Sequence, residues 1–406
     1  MKEIYGGVCA PKGFTASGIH CGIKPTSNPD RKDIALIKSD VPCNAAGMFT
    51  KNNVKAAPVW LDIEHLKDGK AQAIVANSYI ANACAPEGME TATLTAKTAA
   101  KALSIPMKDI IVSSTGVIGQ RLNVEAIIKA FPELVNKLSK DGSKDAAKAI
   151  MTTDTVKKEL SYEFTLSGKT VHLGGITKGS GMIHPHMGTM LCYITTDVAI
   201  SKEMLNEALH EAVNKSFNRI SIDGDMSTND SCVILANGLA ENKEIRSKDK
   251  DYETFLKVLM TLTITLSKIM AKDGEGAEHL ITCTVKNAKT EKKAEILSKS
   301  VINSTLTKTA IFGKDANWGR VLCALGYAGV PFDAEKTDIF FQSENGSICV
   351  CKNGKGLSFN EELALSILSA EEVIILVDLK EGEEEATCWG CDLTYDYVKI
   401  NGDYRT

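Results

Sequence analysis

Thr189 follows Gly188 where a glycine-rich, proline-bearing loop gives way to the apolar, β-prone run Met190 to Ile194, a layout that can present a hydroxyl at a strand start. Upstream, Lys178-Gly179-Ser180-Gly181 offers a cation and a backbone free to turn tightly, which a developing oxyanion or a ligand carboxylate would use. A threonine after glycine is ordinarily a turn residue, so a nucleophile here needs a base. Self-cleavage would supply one. The Thr189 hydroxyl attacks the Gly188 carbonyl, an N-to-O shift gives an ester, and hydrolysis frees Thr189 as a new N-terminus. Its amine, with an ordinary pKa of about 7.7–8.0, suits proton transfer at neutral pH.

Other chemistry-bearing stretches have blander readings. Lys178-Gly179-Ser180 is in the wrong order for a phosphate-binding Gly-Lys-Ser/Thr loop. The run from Asp223 begins like a calcium loop, but Thr228 stands where glycine and Ile234 where glutamate would be required, so a hydrogen-bonded turn fits better. His184-Pro185-His186 has no further ligand at metal spacing, and no metal is expected. Cys388-Trp389-Gly390-Cys391 lacks a second such pair and reads as packed thiols. Glu275, between two glycines, reads first as a helix-end turn. Thr115-Gly116 follows the apolar strand Asp109–Ser113, at the kind of strand end where α/β proteins place chemistry.

These residues must be positioned by a chain of 406 residues, 44% hydrophobic, enough for two or three packed subregions. A net charge of −4 without a basic stripe argues against nucleic acid or an anionic membrane as partner. Twelve scattered cysteines suit free thiols in a reducing compartment, and the N-terminus lacks an apolar signal core, so a cytoplasmic protein is expected. Phe255 to Met270 is expected to be a core helix, too short and too polar to span a bilayer.

Strands are expected at Asp33–Ile37, Ala45–Phe49, Ala71–Ala76, Asp109–Ser113, Cys232–Ala236, Leu280–Val285, Asp338–Gln342, Ser347–Cys351 and Val373–Val377. A hairpin is expected about Ser167-Gly168, and a last strand after the acidic turn Glu381–Glu385, running into Tyr397–Ile400. Helices are expected over Glu87–Leu103, over Asn123–Lys140 with a break near Pro132, after a Ser201 cap, over Glu291–Leu306 and from Asn360. Residues 1–60 show no helical period. The mixture gives an α/β or α+β class.

Taken together, the segments resemble the ornithine acetyltransferase (glutamate N-acetyltransferase) family of arginine biosynthesis. The carriers are Ala56-Ala57-Pro58-Val59, Ala81-Asn82-Ala83-Cys84, Ser114-Thr115-Gly116-Val117-Ile118-Gly119, Met151-Thr152-Thr153-Asp154-Thr155 and Lys178-Gly179-Ser180-Gly181-Met182-Ile183. They continue through Ser227-Thr228-Asn229-Asp230, Asp273-Gly274-Glu275-Gly276-Ala277, Phe312 to Arg320, and Gly390 to Thr406. The resemblance implies a mixed α+β sandwich of the self-processing N-terminal-nucleophile kind. It implies cleavage between Gly188 and Thr189 into chains 1–188 and 189–406, assembled as a heterotetramer. It implies Thr189 as nucleophile, Thr115 and the Gly116 N–H as oxyanion hole, and Thr152, Lys178, Thr189, Glu275, Asn401 and Thr406 as substrate contacts. The implied reaction is ping-pong acetyl transfer from N-acetylornithine to glutamate with no cofactor, and acetyl-CoA stays open as a second donor.

Two other readings stay open on the residues alone: a related N-terminal-nucleophile amidase or aminopeptidase, which would hydrolyse rather than transfer, and a non-catalytic amino-acid-binding protein using the same charged pocket.

Overall fold

The computed structural model describes residues 1–24, 28–184 and 190–404. Among these residues nine strands form one mixed sheet. Its spatial order is Lys2–Glu3, Lys158–Leu166, Lys169–Lys178, Leu191–Thr196, Ser231–Ala236, Ile34–Phe49, Lys70–Asn77 and Ile110–Ser114, with Phe14–Ile19 also paired to Ile34–Phe49. A second mixed sheet of seven strands runs Lys355–Gly356, Gly346–Lys352, Asp338–Ser343, Glu372–Asp378, Leu280–Ala288, Glu384–Cys391 and Ile220–Ser221. The class is mixed α/β, as expected.

Strand alternation decides which layer each residue serves. In the first sheet Ile34, Leu36, Val75, Ile110 and Val112 face the helices Gly88–Leu103 and Val124–Asn136, whose Ala92, Ala96, Ile127 and Phe131 complete that layer. Their neighbours Ala35, Ile37, Ile74 and Ile111 point to the other face and meet Ala146, Ala147 and Ile150. Cys192 and Ile194 face a further core built on the helix Lys250–Lys272, while Leu191 and Tyr193 face away from it. Burying each such aliphatic side chain is worth about 1.5–3 kcal/mol.

The helix Lys250–Lys272 packs on strands of both sheets and is longer than expected. At 23 residues, with a mean hydropathy of 1.4 in its most apolar window, it meets the length and composition of a membrane span, which corrects the expectation that it is too short and polar. Half of that window is buried inside the protein, with Phe255, Leu259, Leu262 and Leu266 on the core face, so it serves as a core helix.

Several boundaries differ for identifiable reasons. The two expected strands between residues 33 and 49 are one 16-residue strand, Ile34–Phe49, whose register slips between Lys38 and Cys43; Pro42 lies in that irregular stretch. A helix, Ala57–His65, occupies ground with no visible helical period, because its buried face carries Asp62 and His65. Asp62 accepts from the Val112 N–H at 2.8 Å and His65 Nδ1 meets the Ile110 carbonyl at 2.7 Å, so polar residues stand where apolar ones would mark the period. Pro132 does not end its helix, which continues with Phe131 and Leu134 buried on either side. The expected helix Glu291–Leu306 divides at Ser304, whose hydroxyl caps a new helix, Thr305–Phe312. The expected last strand into Tyr397–Ile400 is a helix, Tyr395–Asp403, capped by Thr394, while the acidic stretch runs straight into the strand Glu384–Cys391.

Leu262 is fully buried against Gly175, and Leu262→Ala should destabilise the protein by about 2–5 kcal/mol in urea unfolding through the cavity it leaves. A loss below about 1 kcal/mol would contradict the assignment of this helix to the core.

Candidate active site

Six of the residues singled out by sequence, Thr115, Gly116, Thr152, Lys178, Glu275 and Asn401, line one pocket of about 90 Å³, together with Thr153, Ser227, Thr228, Asn229 and Tyr404. Gly188, Thr189, His186 and Thr406 lie outside the described residues. A wider hollow of about 510 Å³, lined by Arg31, Lys32 and Lys148 among others, lies against the same Thr152 but holds none of the other five.

Thr115 is placed by the strand Ile110–Ser114, which pairs in parallel with Lys70–Asn77. Its N–H donates to the Asn77 carbonyl at 3.0 Å, and Ser114 Oγ donates to Asn77 Oδ1 at 2.7 Å. Asn229 fastens this loop to its neighbour by donating to the carbonyls of Ser114 and Ala81 at 2.8 and 2.6 Å. At Gly116, φ is +127°, and a Cβ would lie 2.2 Å from the Tyr79 carbonyl. Glycine is therefore required here by close backbone approach.

Lys178 ends the strand Lys169–Lys178, opposite Leu191, and only 2% of its side chain is exposed. Its Nζ lies 3.5 Å from Thr115 Oγ1 and 4.0 Å from Asp154 Oδ2. Burial drives its ammonium below the ordinary lysine range; Asp154, Glu275 and Asp230 oppose that effect, and Lys158 adds to it. Burial alone would raise the carboxyl of Asp154, but Lys178 and Lys158 overcome it and bring it down to about 2. Asp154 also accepts from the N–H groups of Gly179 at 2.7 Å and Thr152 at 3.0 Å, so one carboxylate holds two walls of the pocket.

Glu275 follows the end of the helix Lys250–Lys272, as a helix-end turn should, but the flanking glycines are there for close packing. A Cβ on Gly276 would meet the Tyr397 N at 2.7 Å, and one on Gly274 would meet Cys391 Sγ at 2.7 Å. Gly181 lies against the Glu275 carboxylate, where a Cβ would come within 2.3 Å, and the Glu275 N–H donates to the Ser180 carbonyl at 2.8 Å. From the C-terminal helix, Asn401 Nδ2 donates to Glu275 Oε2 at 2.7 Å. Thr394 Oγ1, besides capping that helix, donates to the Gly276 carbonyl at 2.7 Å.

Just before the strand Leu191–Thr196, the Met190 N–H donates to Asp230 Oδ1 at 2.9 Å, and burial holds the Asp230 carboxyl well above the carboxylate range. The run from Asp223 is the expected hydrogen-bonded turn: Asp223 accepts from the N–H groups of Met182 and Ile183 at 2.5 and 2.9 Å and from the Tyr397 hydroxyl at 3.3 Å. Cys388 and Cys391 are buried free thiols. Sequence reasoning missed the pocket roles of Asn229 and Tyr404 and the pairing around Asp154. The Thr-Thr-Asp-Thr run was the available signal for the last of these.

Chemically, the pocket sets a buried ammonium and a carboxylate on its walls, with hydroxyls between. A zwitterionic amino acid fits that pattern, its carboxylate toward Lys178 and its ammonium toward Glu275. A hydroxyl and a glycine backbone beside Lys178 can receive a developing oxyanion.

A family model for the ArgJ family matches residues 15–406. The arginine biosynthesis bifunctional protein ArgJ of Caldanaerobacter subterraneus is 50% identical, with 100% of both chains covered. That of Bacillus subtilis is 42% identical over 100% of this chain and 98% of its own. A crystal structure of the same-named protein from Bacillus halodurans matches at 43% identity and a TM-score of 0.50, covering 52% of this chain and 98% of the solved chain.

The pocket's ion pairs carry a pH signature. Because Asp154 is held down at about 2, below the ordinary aspartate value of about 3.9, its contribution of about 2 kcal/mol is complete above about pH 5 and fades as pH falls toward 2. Denaturant unfolding of Asp154→Asn should show a deficit at pH 7 that narrows over that acid range. A deficit constant from pH 7 to pH 2 would contradict this.

Proposed function

The chain belongs to the ArgJ family of arginine-biosynthesis enzymes, and from that footing we propose that it moves the acetyl group of N-acetylornithine to glutamate through an acetyl-threonine at Thr189. The observation that carries the proposal is the convergence of Thr115, Gly116, Thr152, Lys178, Glu275 and Asn401 on one pocket.

In this reading the chain first cuts itself between Gly188 and Thr189, giving chains 1–188 and 189–406 that pair as a heterotetramer. In support, the solved Bacillus halodurans chain is almost wholly covered by about half of this one. The freed Thr189 amine takes the proton of its own hydroxyl, which attacks the acetyl carbonyl. Thr115 and the Gly116 N–H stabilise the tetrahedral oxygen, a donor worth about 3–4 kcal/mol in such sites. The amine returns the proton to the leaving nitrogen, ornithine departs, and glutamate attacks the acetyl-enzyme to give N-acetylglutamate. Thr152, Lys178, Glu275, Asn401 and Thr406 hold the amino-acid portion. No metal or organic cofactor takes part. The relatives' designation as bifunctional supports acetyl-CoA as a second donor. We place the enzyme in the cytoplasm, where its thiols stay reduced.

Incubation with N-acetylornithine alone should add ~42 Da to the fragment beginning at Thr189, since covalent transfer requires that species. Thr189→Ala should remain one chain and lose transfer. An uncut wild-type chain that still transfers would refute the maturation step, and an active Thr189→Ala would refute the nucleophile. Acetate release unaffected by glutamate would instead indicate a hydrolase.

A further inference from the structure

Lys158 is a fully buried ammonium to which the acyl-transfer chemistry gives no task. It opens the strand Lys158–Leu166 and pairs with Thr177, the residue before Lys178. Its Nζ donates to Asp154 Oδ1 at 2.6 Å and to Asp273 Oδ2 at 2.5 Å. Both acceptors sit at joints of the site. Asp154 is the counter-ion of Lys178 and accepts from the backbone of Thr152 and Gly179. Asp273 closes the helix Lys250–Lys272, accepts from the Thr155 N–H at 3.2 Å, and stands two residues before Glu275.

An apolar side chain of similar length would fill this space without the desolvation that a buried ammonium costs, so space filling alone does not account for the charge. What the charge adds is competition. Asp154 serves two cations, and Lys158 makes the close contact, leaving Lys178 at 4.0 Å from the carboxylate and 3.5 Å from Thr115 Oγ1. On its other side Lys158 ties down the turn that carries Glu275.

We propose that Lys158 is a positioning residue, which holds Asp154 and Asp273 so that Lys178 stays off its counter-ion and aimed into the pocket while the Glu275 turn stays fixed. The kinetic consequences rest on the acyl-transfer reading; the geometric ones do not. Lys178 is faced by Asp154, Lys158, Glu275 and Asp230, so removing Lys158 takes away a neighbouring positive charge and lets Lys178 hold its proton to higher pH.

The test is Lys158→Met, with Lys158→Arg and Asp273→Asn beside it. In a crystal structure of Lys158→Met, Lys178 Nζ should close on Asp154 and withdraw from Thr115. Its kcat/KM should fall by about 10-fold to 100-fold, as expected for a misplaced binding group, and the alkaline limb of the pH profile should move to higher pH. Lys158→Arg should restore the limb, and Asp273→Asn should raise KM more than it lowers kcat. Lys178 in its original place with an unmoved limb would overturn the proposal. If Lys158→Met does not fold, wild-type kcat, KM and pH profile in Asp273→Asn would overturn it. A wild-type protein that transfers no acetyl group refutes the functional reading instead, and the position of Lys178 in the Lys158→Met crystal still decides the role of Lys158.

Discussion

One buried carboxylate, Asp154, sets the geometry on which the site depends. It lies between two ammonium groups, Lys158 at 2.6 Å and Lys178 at 4.0 Å, and takes backbone N–H bonds from Thr152 in its own loop and from Gly179. A charge removed from water is tolerated only where it is paired and hydrogen-bonded, so each of these contacts is a condition of the others. The loop at Thr152, the end of the strand Lys169–Lys178 and, through Lys158 and Asp273, the turn at Glu275 are thereby fixed relative to one another. Functional precision here derives from electrostatic necessity in the core.

Close backbone approach is the second constraint. Gly116 against the Tyr79 backbone and Gly276 against the Tyr397 backbone leave no room for a Cβ, and Gly181 lies against the Glu275 carboxylate. These contacts join segments far apart in the chain, and they bring the C-terminal helix, which buries none of its own residues, onto the pocket by way of Asn401 and Glu275. That helix is held by these polar contacts and by an edge-to-face packing of Tyr395 on Phe312, with ring centroids 5.6 Å apart.

The periodic strands were legible because each buries alternate residues on two faces; Ile110 to Val112 and Cys232 to Ala236 stand where the pattern places them. The helix Ala57–His65 was not, because Asp62 and His65 replace apolar residues on its buried face, and the C-terminal helix was not, because none of its residues is fully buried. At the site, Thr115-Gly116, Lys178 and Glu275 were legible through motif resemblance, and the pocket brings them together. Lys158 was not: its only signal is a lysine at the start of a strand, and its meaning arises from Asp273, 115 residues away. Ion-pair partners of that separation leave no local pattern.

Isotope exchange shows whether the acetyl group rests on the enzyme between two half-reactions. With glutamate absent, labelled ornithine should enter N-acetylornithine, because the acetyl-enzyme formed in the first half-reaction can return its acetyl group to any ornithine present. Exchange that requires glutamate would mean that both substrates meet on the enzyme before transfer, and would contradict the account.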